Sequence, residues 1–129
     1  MLYAACGYIA LKGLHPRRPS DVVRAARRAM DQVIRGVGPE FAPGVVKYDA
    51  GNVCGARGDN AFLIYFGDVE LQGWNAADAS DTAHTLFRVL ATFVAKAMKV
   101  KESASAVEKV WKVPYGTRGI KRPRKPRAL

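Results

Sequence analysis

Arginine and lysine side chains are concentrated near the beginning of the chain, where they could neutralise phosphate charge. Positions 12–35 carry seven basic residues, and only Asp21 and Asp31 oppose them. Side chains of one charge repel each other unless a polyanion neutralises them, so this imbalance favours nucleic-acid binding. The alternative is a charged face that is simply solvated. The seven residues are Lys12, Arg17, Arg18, Arg24, Arg27, Arg28 and Arg35.

A second group of basic residues lies in the last part of the chain. Positions 109–129 carry eight basic residues and no acidic residue, in a chain whose formal net charge is +10. This segment has too few apolar residues to fold alone. It is therefore either a solvated tail or an arm that becomes ordered along RNA, with Tyr115 available to stack on unpaired bases. The RNA-binding candidates here are Arg118, Lys121, Arg122, Arg124, Lys125 and Arg127.

Three more basic residues are candidates because of their surroundings. Arg57 lies in a glycine-rich stretch, where a flexible backbone could bring it to a phosphate. Lys99 and Lys101 follow an apolar helical pattern, and cations favour the negative C-terminal end of a helix dipole. We expect all three to contact folded RNA through phosphates and shape, without reading base sequence.

The residues that usually carry catalysis are isolated in this sequence. His15 and His84 belong to no Ser/His/Asp or Cys/His grouping, and the carboxylates are scattered. Cys6 and Cys54 are too far apart to suggest a zinc site, and Cys6 fits a buried thiol in a strand. The glycine-rich stretch lacks the Gly-Lys-Ser/Thr ending of a P-loop. We expect no enzyme activity, cofactor or metal, and no apolar run approaches the roughly 20 residues that span a bilayer.

The chain length fits one domain, and the hydrophobic pattern predicts both strands and helices. We expect an α+β two-layer sandwich, with an antiparallel sheet and two helices packed on one face. Residues 1–103 should form this domain, and residues 104–129 a basic C-terminal extension. The predicted elements are a strand at Tyr3–Leu11, a helix at Ser20–Arg35, a short strand at Val45–Tyr48, a glycine-rich loop at Asp49–Asn60, a hairpin of Ala61–Phe66 and Val69–Trp74 turning at Gly67-Asp68, and a helix at Asp81–Met98.

Local signals define the two helices further. Ser20 or Asp21 is expected to cap the first helix, and Gly36 or Gly38 to end it. Apolar residues at three- and four-residue steps predict one buried stripe on each helix. The predicted stripes are Val22, Ala26, Ala29, Met30 and Val33 in the first helix, and Leu86, Leu90, Phe93, Val94 and Ala97 in the second.

The order of residues at the front of the chain resembles the universal L-sixteen family of large-subunit ribosomal proteins. That family has a glycine-bearing strand, then Leu-x-x-Leu-x-Pro, then a helix reading roughly Ile-x-Ala-Ala-Arg-Arg-Ala-Met. Further matches are thinner: the glycine-rich stretch is similar to a Gly-Lys-Gly-Lys-Gly loop, and residues 96–101 are similar to a lysine-rich ending. The matching residues are Gly7, Leu11, Leu14, Pro16, Val23, the run 25–30, Gly55, Arg57, Gly58, Phe62, Met98, Lys99 and Lys101.

The resemblance implies a structural constituent of the large ribosomal subunit that binds rRNA near the A-site tRNA and the peptidyl-transferase centre. Its implied partners are large-subunit rRNA, neighbouring ribosomal proteins and tRNA, with no membrane. The family's long basic loop is cut here to about Asp49–Asn60, so the tRNA contact is in question. Lost basic elements and a basic tail beyond residue 109 favour a mitochondrial ribosome over one in the bacterial cytoplasm.

Two other classes of function remain open from the sequence. One is a non-ribosomal protein associated with nucleic acid, such as a phage head or tail component whose tail grips a neighbouring subunit or packaged DNA. The other is an enzyme, which would require an acid–base pair that the sequence does not place together.

Overall fold

The computed structural model describes residues 2–35, 45–47 and 49–113. The predicted cap glycines Gly36 and Gly38, together with Tyr115 and the basic residues from Arg118 to Arg127, lie outside the described residues. The elements are β1 (Leu2–Lys12), α1 (Pro19–Ile34), β2 (Val45–Lys47), a short 3-10 turn (Ala50–Asn52), β3 (Val53–Arg57), β4 (Ala61–Gln72), α2 (Ala76–Ala97) and β5 (Ser103–Lys112).

β4 and β1 are the central strands of one antiparallel sheet. β5 pairs with the other side of β1, and β2 and β3 pair with different parts of β4, so they share the opposite edge. If that edge is counted as one interrupted strand, the chain order is βαββαβ, which is the ferredoxin-like arrangement. The predicted α+β class, with an antiparallel sheet and two helices, is confirmed.

The core lies between the sheet and the two helices. Alternate residues of the central strands point into it, because successive side chains of a strand face opposite sides. Ile9, Leu11, Phe62 and Ile64 are all almost completely buried there. α1 covers the β2–β3 edge, while α2 covers β1 and β5. One face of the sheet is thus closed by helices, and the other carries no helix among the described residues.

The buried stripe predicted for α1 is confirmed at all five positions. The stripe predicted for α2 is confirmed at Leu86, Leu90 and Val94, whereas Phe93 is half-buried and Ala97 is exposed. The cap predicted at Ser20 or Asp21 is wrong, because Arg18 is the N-cap residue and no side chain caps the helix. Proline at the first helical position has no N–H to satisfy, and its fixed φ begins the helix.

The predicted hairpin turning at Gly67-Asp68 is wrong. Residues 61–72 form one continuous strand, β4, and both residues of the dipeptide oppose the single residue Cys6 of β1. Asp68 has a φ of 60° and so adopts the left-handed conformation, whereas Gly67 does not. The left-handed conformation occurs in bulges and in turns. Because β4 pairs with β1 on both sides of residues 67 and 68, a bulge forms here.

The predicted loop at Asp49–Asn60 is wrong in its central part. Residues 53–57 form β3, which pairs with β4 through a short connection at residues 58–60. Glycine at position 55 is required by packing, because an added Cβ would lie 2.7 Å from the ring of Phe62. Glycine at this position therefore allows β3 to lie close to the core, and it does not indicate a flexible arm.

Two further boundaries differ from the prediction. α2 begins at Ala76, five residues before the predicted Asp81, and the side chain of Asn75 caps it by accepting a hydrogen bond from the N–H of Asp78. Residues 103–112 form the edge strand β5, which pairs with β1 along most of its length. The folded unit therefore extends past the boundary expected at residue 103.

Candidate nucleic-acid interface

Three connections that are distant in sequence meet at one end of the sheet. The N–H of Lys12 donates to the carbonyl of Glu102 at 3.0 Å, and the N–H of Gly13 donates to the carbonyl of Asn60 at 2.8 Å. The guanidinium of Arg57 donates to the carbonyl of Pro16 at 2.9 Å. These bonds join the turn 12–18, the β3–β4 connection and the α2–β5 connection into one surface.

This surface, which we call the basic end, comprises residues 12–18, 57–60 and 96–102. It carries only two acidic residues, Asp59 and Glu102. Glu102 lies 3.9 Å from the ammonium of Lys12, and both side chains are mostly exposed, so this ion pair is weak. The basic end therefore keeps most of its positive charge. Its seven basic residues are Lys12, Arg17, Arg18, Arg57, Lys96, Lys99 and Lys101.

Lys99 occupies a backbone conformation that usually belongs to glycine. Its φ is 58°, directly after the end of α2. The N–H of Val100 donates to the carbonyl of Ala95 at 2.8 Å, and the N–H of Lys99 donates to that of Lys96 at 3.3 Å, which together form a Schellman motif. A lysine at this position costs stability relative to glycine. In exchange for this steric cost, the lysine side chain places a cation at the basic end.

The arginines of α1 continue the positive surface away from the basic end, since α1 begins there. Arg18 and Arg24 approach the carboxylate of Asp21 at 3.1 and 3.8 Å, and both guanidinium groups remain largely exposed. Exposed pairs of this kind contribute little to stability and exchange readily for other anions. Arg28 and Arg35 are exposed farther along the helix.

Two of the predicted RNA-binding arginines hold the fold together. Arg27 is half-buried, and its guanidinium donates to the carbonyls of Ala50 and Val53 at 3.2 and 3.4 Å. This contact fixes the short turn before β3 against α1. Arg57 is exposed, but its hydrogen bond to Pro16 orients the turn that carries Arg17 and Arg18. Sequence spacing alone gives no signal for such contacts, because they depend on which strands pair.

Both histidines are exposed, and they belong to different elements of the fold. His15 belongs to the turn of the basic end, and His84 is exposed on α2. In the described part of the chain, no three His, Cys, Asp or Glu side chains are grouped so that they could hold a metal ion.

A separate group of polar side chains lies on the face of the sheet away from the helices. Cys6 is buried, as predicted, and burial raises the pKa of its thiol, although a hydrogen bond with Tyr65 opposes this effect. Burial also raises the pKa of the Tyr65 hydroxyl, and the hydrogen bond to Glu108 adds to that increase. Both groups therefore stay neutral at physiological pH. The ring of Tyr8 packs beside that of Tyr65, a contact for which spacing in the sequence gives no signal.

Neither helix of the described residues is both long enough and apolar enough to cross a membrane. No family model, curated protein or solved structure matches the chain. The fold and the distribution of charge are therefore the observations on which a function can be argued.

Proposed function

We propose that the protein is a structural RNA-binding protein, and that its RNA is the rRNA of a large ribosomal subunit, as the resemblance to the L-sixteen family implies. The basic end clamps phosphates of folded RNA, and the exposed arginines of α1 extend the contact. No chemical step is involved. Binding arises from charge neutralisation and release of counterions.

The observation that carries this proposal is the meeting of three separate connections at the basic end. Lysines and arginines scattered on a surface would be solvated individually. Here the backbone N–H groups of Lys12 and Gly13 and the guanidinium of Arg57 form hydrogen bonds that hold the three connections, and so the backbone positions of their cations, together. Because the backbone is already ordered, less conformational entropy is lost on binding, which favours a ligand with several negative charges.

The partners proposed with this function are rRNA and neighbouring ribosomal proteins, in a mitochondrial ribosome or, as the alternative, a bacterial one. The fold limits the reach of the chain towards A-site tRNA. Residues 53–57 of the segment expected to reach tRNA form β3, which leaves the short connection at residues 58–60 at the basic end. The C-terminal candidates from Arg118 to Arg127 would add contacts that follow the RNA backbone.

One observation favours the alternative of a non-ribosomal assembly protein. Among the described strands, β5 pairs only with β1, so its other edge is open along residues 103–112. An open edge can pair with a strand of a neighbouring subunit. A phage head or tail component would use such pairing to build a ring or particle, with the basic end directed at DNA.

Sedimentation of a cell extract distinguishes these two functions. A ribosomal protein is expected to travel with large subunits at low salt and to leave them progressively as the salt concentration rises. Migration of the full chain in particles that contain no rRNA would contradict the ribosomal proposal and support the assembly protein.

A further inference from the structure

The face of the sheet away from the helices, which we call the open face, is uncharged on the side of Tyr8 and Tyr65 that lies towards the basic end. In a sheet with one face in water, outward positions are usually polar. From the row of Tyr8 and Tyr65 towards the basic end these positions are instead uncharged, at Ala10 of β1 and Leu63 of β4, whereas Glu70 and Glu108 lie on the other side of the tyrosines. This composition indicates a face that is covered by a ligand or partner.

Two tyrosines form the centre of the open face. Tyr8 and Tyr65 are paired across β1 and β4, and their rings are nearly parallel, with an interplanar angle of 19° and centroids 6.4 Å apart. This separation is too large for one ring to cover the other completely. Both side chains are half-buried, so part of each aromatic surface is accessible.

A hydrogen bond fixes the ring of Tyr65 in place. Its hydroxyl bonds to the carboxylate of Glu108 on β5, although Tyr65 belongs to β4. Because β1 lies between those two strands, the ring of Tyr65 must extend across β1. One face of the ring is therefore directed at the sheet, and the other is directed away from it.

On the side towards the basic end, most side chains around the two tyrosines are small. In register with the pair lie Cys54 on the β3 side and Ala106 on the β5 side. The next row holds Ala56, Leu63, Ala10 and Ala104. Small neighbours leave the aromatic rings as the highest part of a flat surface, which suits a planar ligand.

We infer that the open face binds unpaired bases of single-stranded RNA, which stack on Tyr8 and Tyr65 while the adjoining phosphates reach the basic end. This inference rests on the proposed RNA-binding function and adds a second contact surface to it. Aromatic side chains on the central strands of a four-stranded sheet are a known means of stacking bases. Stacking tolerates any base sequence, since every base has a flat aromatic face.

Charge at the border of the open face favours RNA over a second copy of the chain. Lys12 follows Ala10 by two residues on β1, and Lys101 precedes β5 by two residues, so a strand that leaves the tyrosines meets these cations at the basic end. On the far side of the tyrosines, the charge of Lys109, which lies 5.5 Å from the ring centroid of Trp111, is balanced by the neighbouring Glu108. The alanines that surround the tyrosines add little apolar area, whereas a stable dimer requires roughly 800 Å² from each partner.

The test compares binding of the full chain to a short oligouridylate and to an abasic oligomer with the same number of phosphates. Stacking predicts that the wild type binds the oligomer with bases about tenfold more tightly. Tyr8→Leu should lose this preference, and Tyr8→Phe should keep it. The wild-type comparison tests the inference even if a variant fails to fold.

The other outcomes separate the two proposals. Equal, salt-dependent binding of both oligomers by the wild type would overturn base stacking and leave RNA binding by the basic end intact. No binding of either oligomer, or of a structured rRNA fragment, would overturn both. A wild-type dimer in sedimentation equilibrium that Tyr8→Leu converts to monomer would overturn base stacking in favour of a second copy on the open face.

Discussion

The guanidinium of Arg57 donates a 2.9 Å hydrogen bond to the backbone carbonyl of Pro16, which lies 41 residues earlier in the chain. Arg57 ends β3, and Pro16 belongs to the turn that leads into α1, so one bond orients two of the three connections of the basic end. A residue expected to meet phosphate directly thus also positions the arginines that follow Pro16.

Arg57→Ala is expected to lower the free energy of unfolding by about 1 kcal/mol, because the variant cannot form this charged hydrogen bond at an exposed site. Affinity for RNA should also fall, since Arg17 and Arg18 no longer have a fixed position. Arg57→Lys keeps the charge without the planar guanidinium and serves as the control. Urea denaturation measures the stability, and equal stability of the wild type and Arg57→Ala would contradict a positioning role.

Lys99→Gly is expected to make the protein more stable and its RNA binding weaker. Glycine adopts the left-handed conformation at the end of α2 without the steric cost of a side chain, which is worth about 1 kcal/mol. Removal of the cation should reduce the slope of RNA affinity against salt by about one, the value for a single neutralised phosphate. Opposite changes in stability and affinity would be difficult to explain by misfolding.

Lys101→Gly is the matched control for this prediction. Lys101 is exposed near the same connection, and its φ is not in the left-handed region. Its removal should weaken RNA binding without any gain in stability. Stabilisation by both substitutions, or by neither, would contradict the conformational argument made for Lys99.

Gly55→Ala is expected to destabilise the fold by about 1 to 3 kcal/mol, because overpacking displaces core side chains. The added Cβ would lie 2.7 Å from the ring of Phe62 and 3.0 Å from the side chain of Val23. Ala56→Gly is the control for strand propensity, because it removes a Cβ from the next position of β3 where Gly55→Ala adds one. A Gly55→Ala protein as stable as the wild type would argue against β3 packing under α1.

The alkaline stability of the protein should depend on Cys6. In the folded state burial raises the thiol pKa above its ordinary 9.0, so the unfolded chain releases that proton first as pH rises. The stabilisation is complete below pH 9 and is lost at higher pH, because the unfolded state then binds fewer protons. Tyr65, whose pKa is also raised by burial, should act in the same direction above its ordinary 10.0.

Chemical denaturation from about pH 8 to about pH 10 measures this effect. The free energy of unfolding of the wild type should decrease across the interval, and Cys6→Ala should decrease less. Cys54→Ala is the control, since Cys54 is only half-buried. An identical pH dependence for the wild type and Cys6→Ala would show that the Cys6 thiol is not protected in the folded state.

The sequence predicts the features that depend on periodicity within one element. The stripe of α1 from Val22 to Val33 is buried as predicted, because a 3.6-residue repeat determines which side faces a core whatever lies opposite. The fold class follows in the same way, since strands and helices of this order can bury their apolar faces in few arrangements.

The errors occur where pairing between distant segments decides the local structure. Gly67-Asp68 can form a turn or a bulge, and only the continuous pairing of β4 with β1 selects the bulge. Likewise, the role of Gly55 depends on the ring of Phe62, and the roles of Arg27 and Arg57 depend on backbone carbonyls brought close by the sheet. The basic end forms because the sheet topology brings three connections together. The sequence therefore predicts its cations one by one, but it does not predict that they lie on one surface.

The central claim is that the basic end neutralises RNA phosphates as one array, and the salt dependence of RNA binding tests it most directly. The variant Arg17→Ala/Arg18→Ala/Lys101→Ala removes three cations from the array. Arg88→Ala removes one exposed cation from the middle of α2, where its guanidinium donates a hydrogen bond to Thr85 of the same helix. Circular dichroism and thermal melting confirm that each variant folds.

Affinity for a structured fragment of large-subunit rRNA is measured by fluorescence anisotropy from about 50 to about 200 mM salt. The account predicts a steep logarithmic slope for the wild type and an unchanged slope for Arg88→Ala. The triple variant should have a slope shallower by about three, because each removed cation leaves one phosphate with its counterion. A slope near zero for the wild type, or equal slopes for the triple variant and Arg88→Ala, would contradict the account.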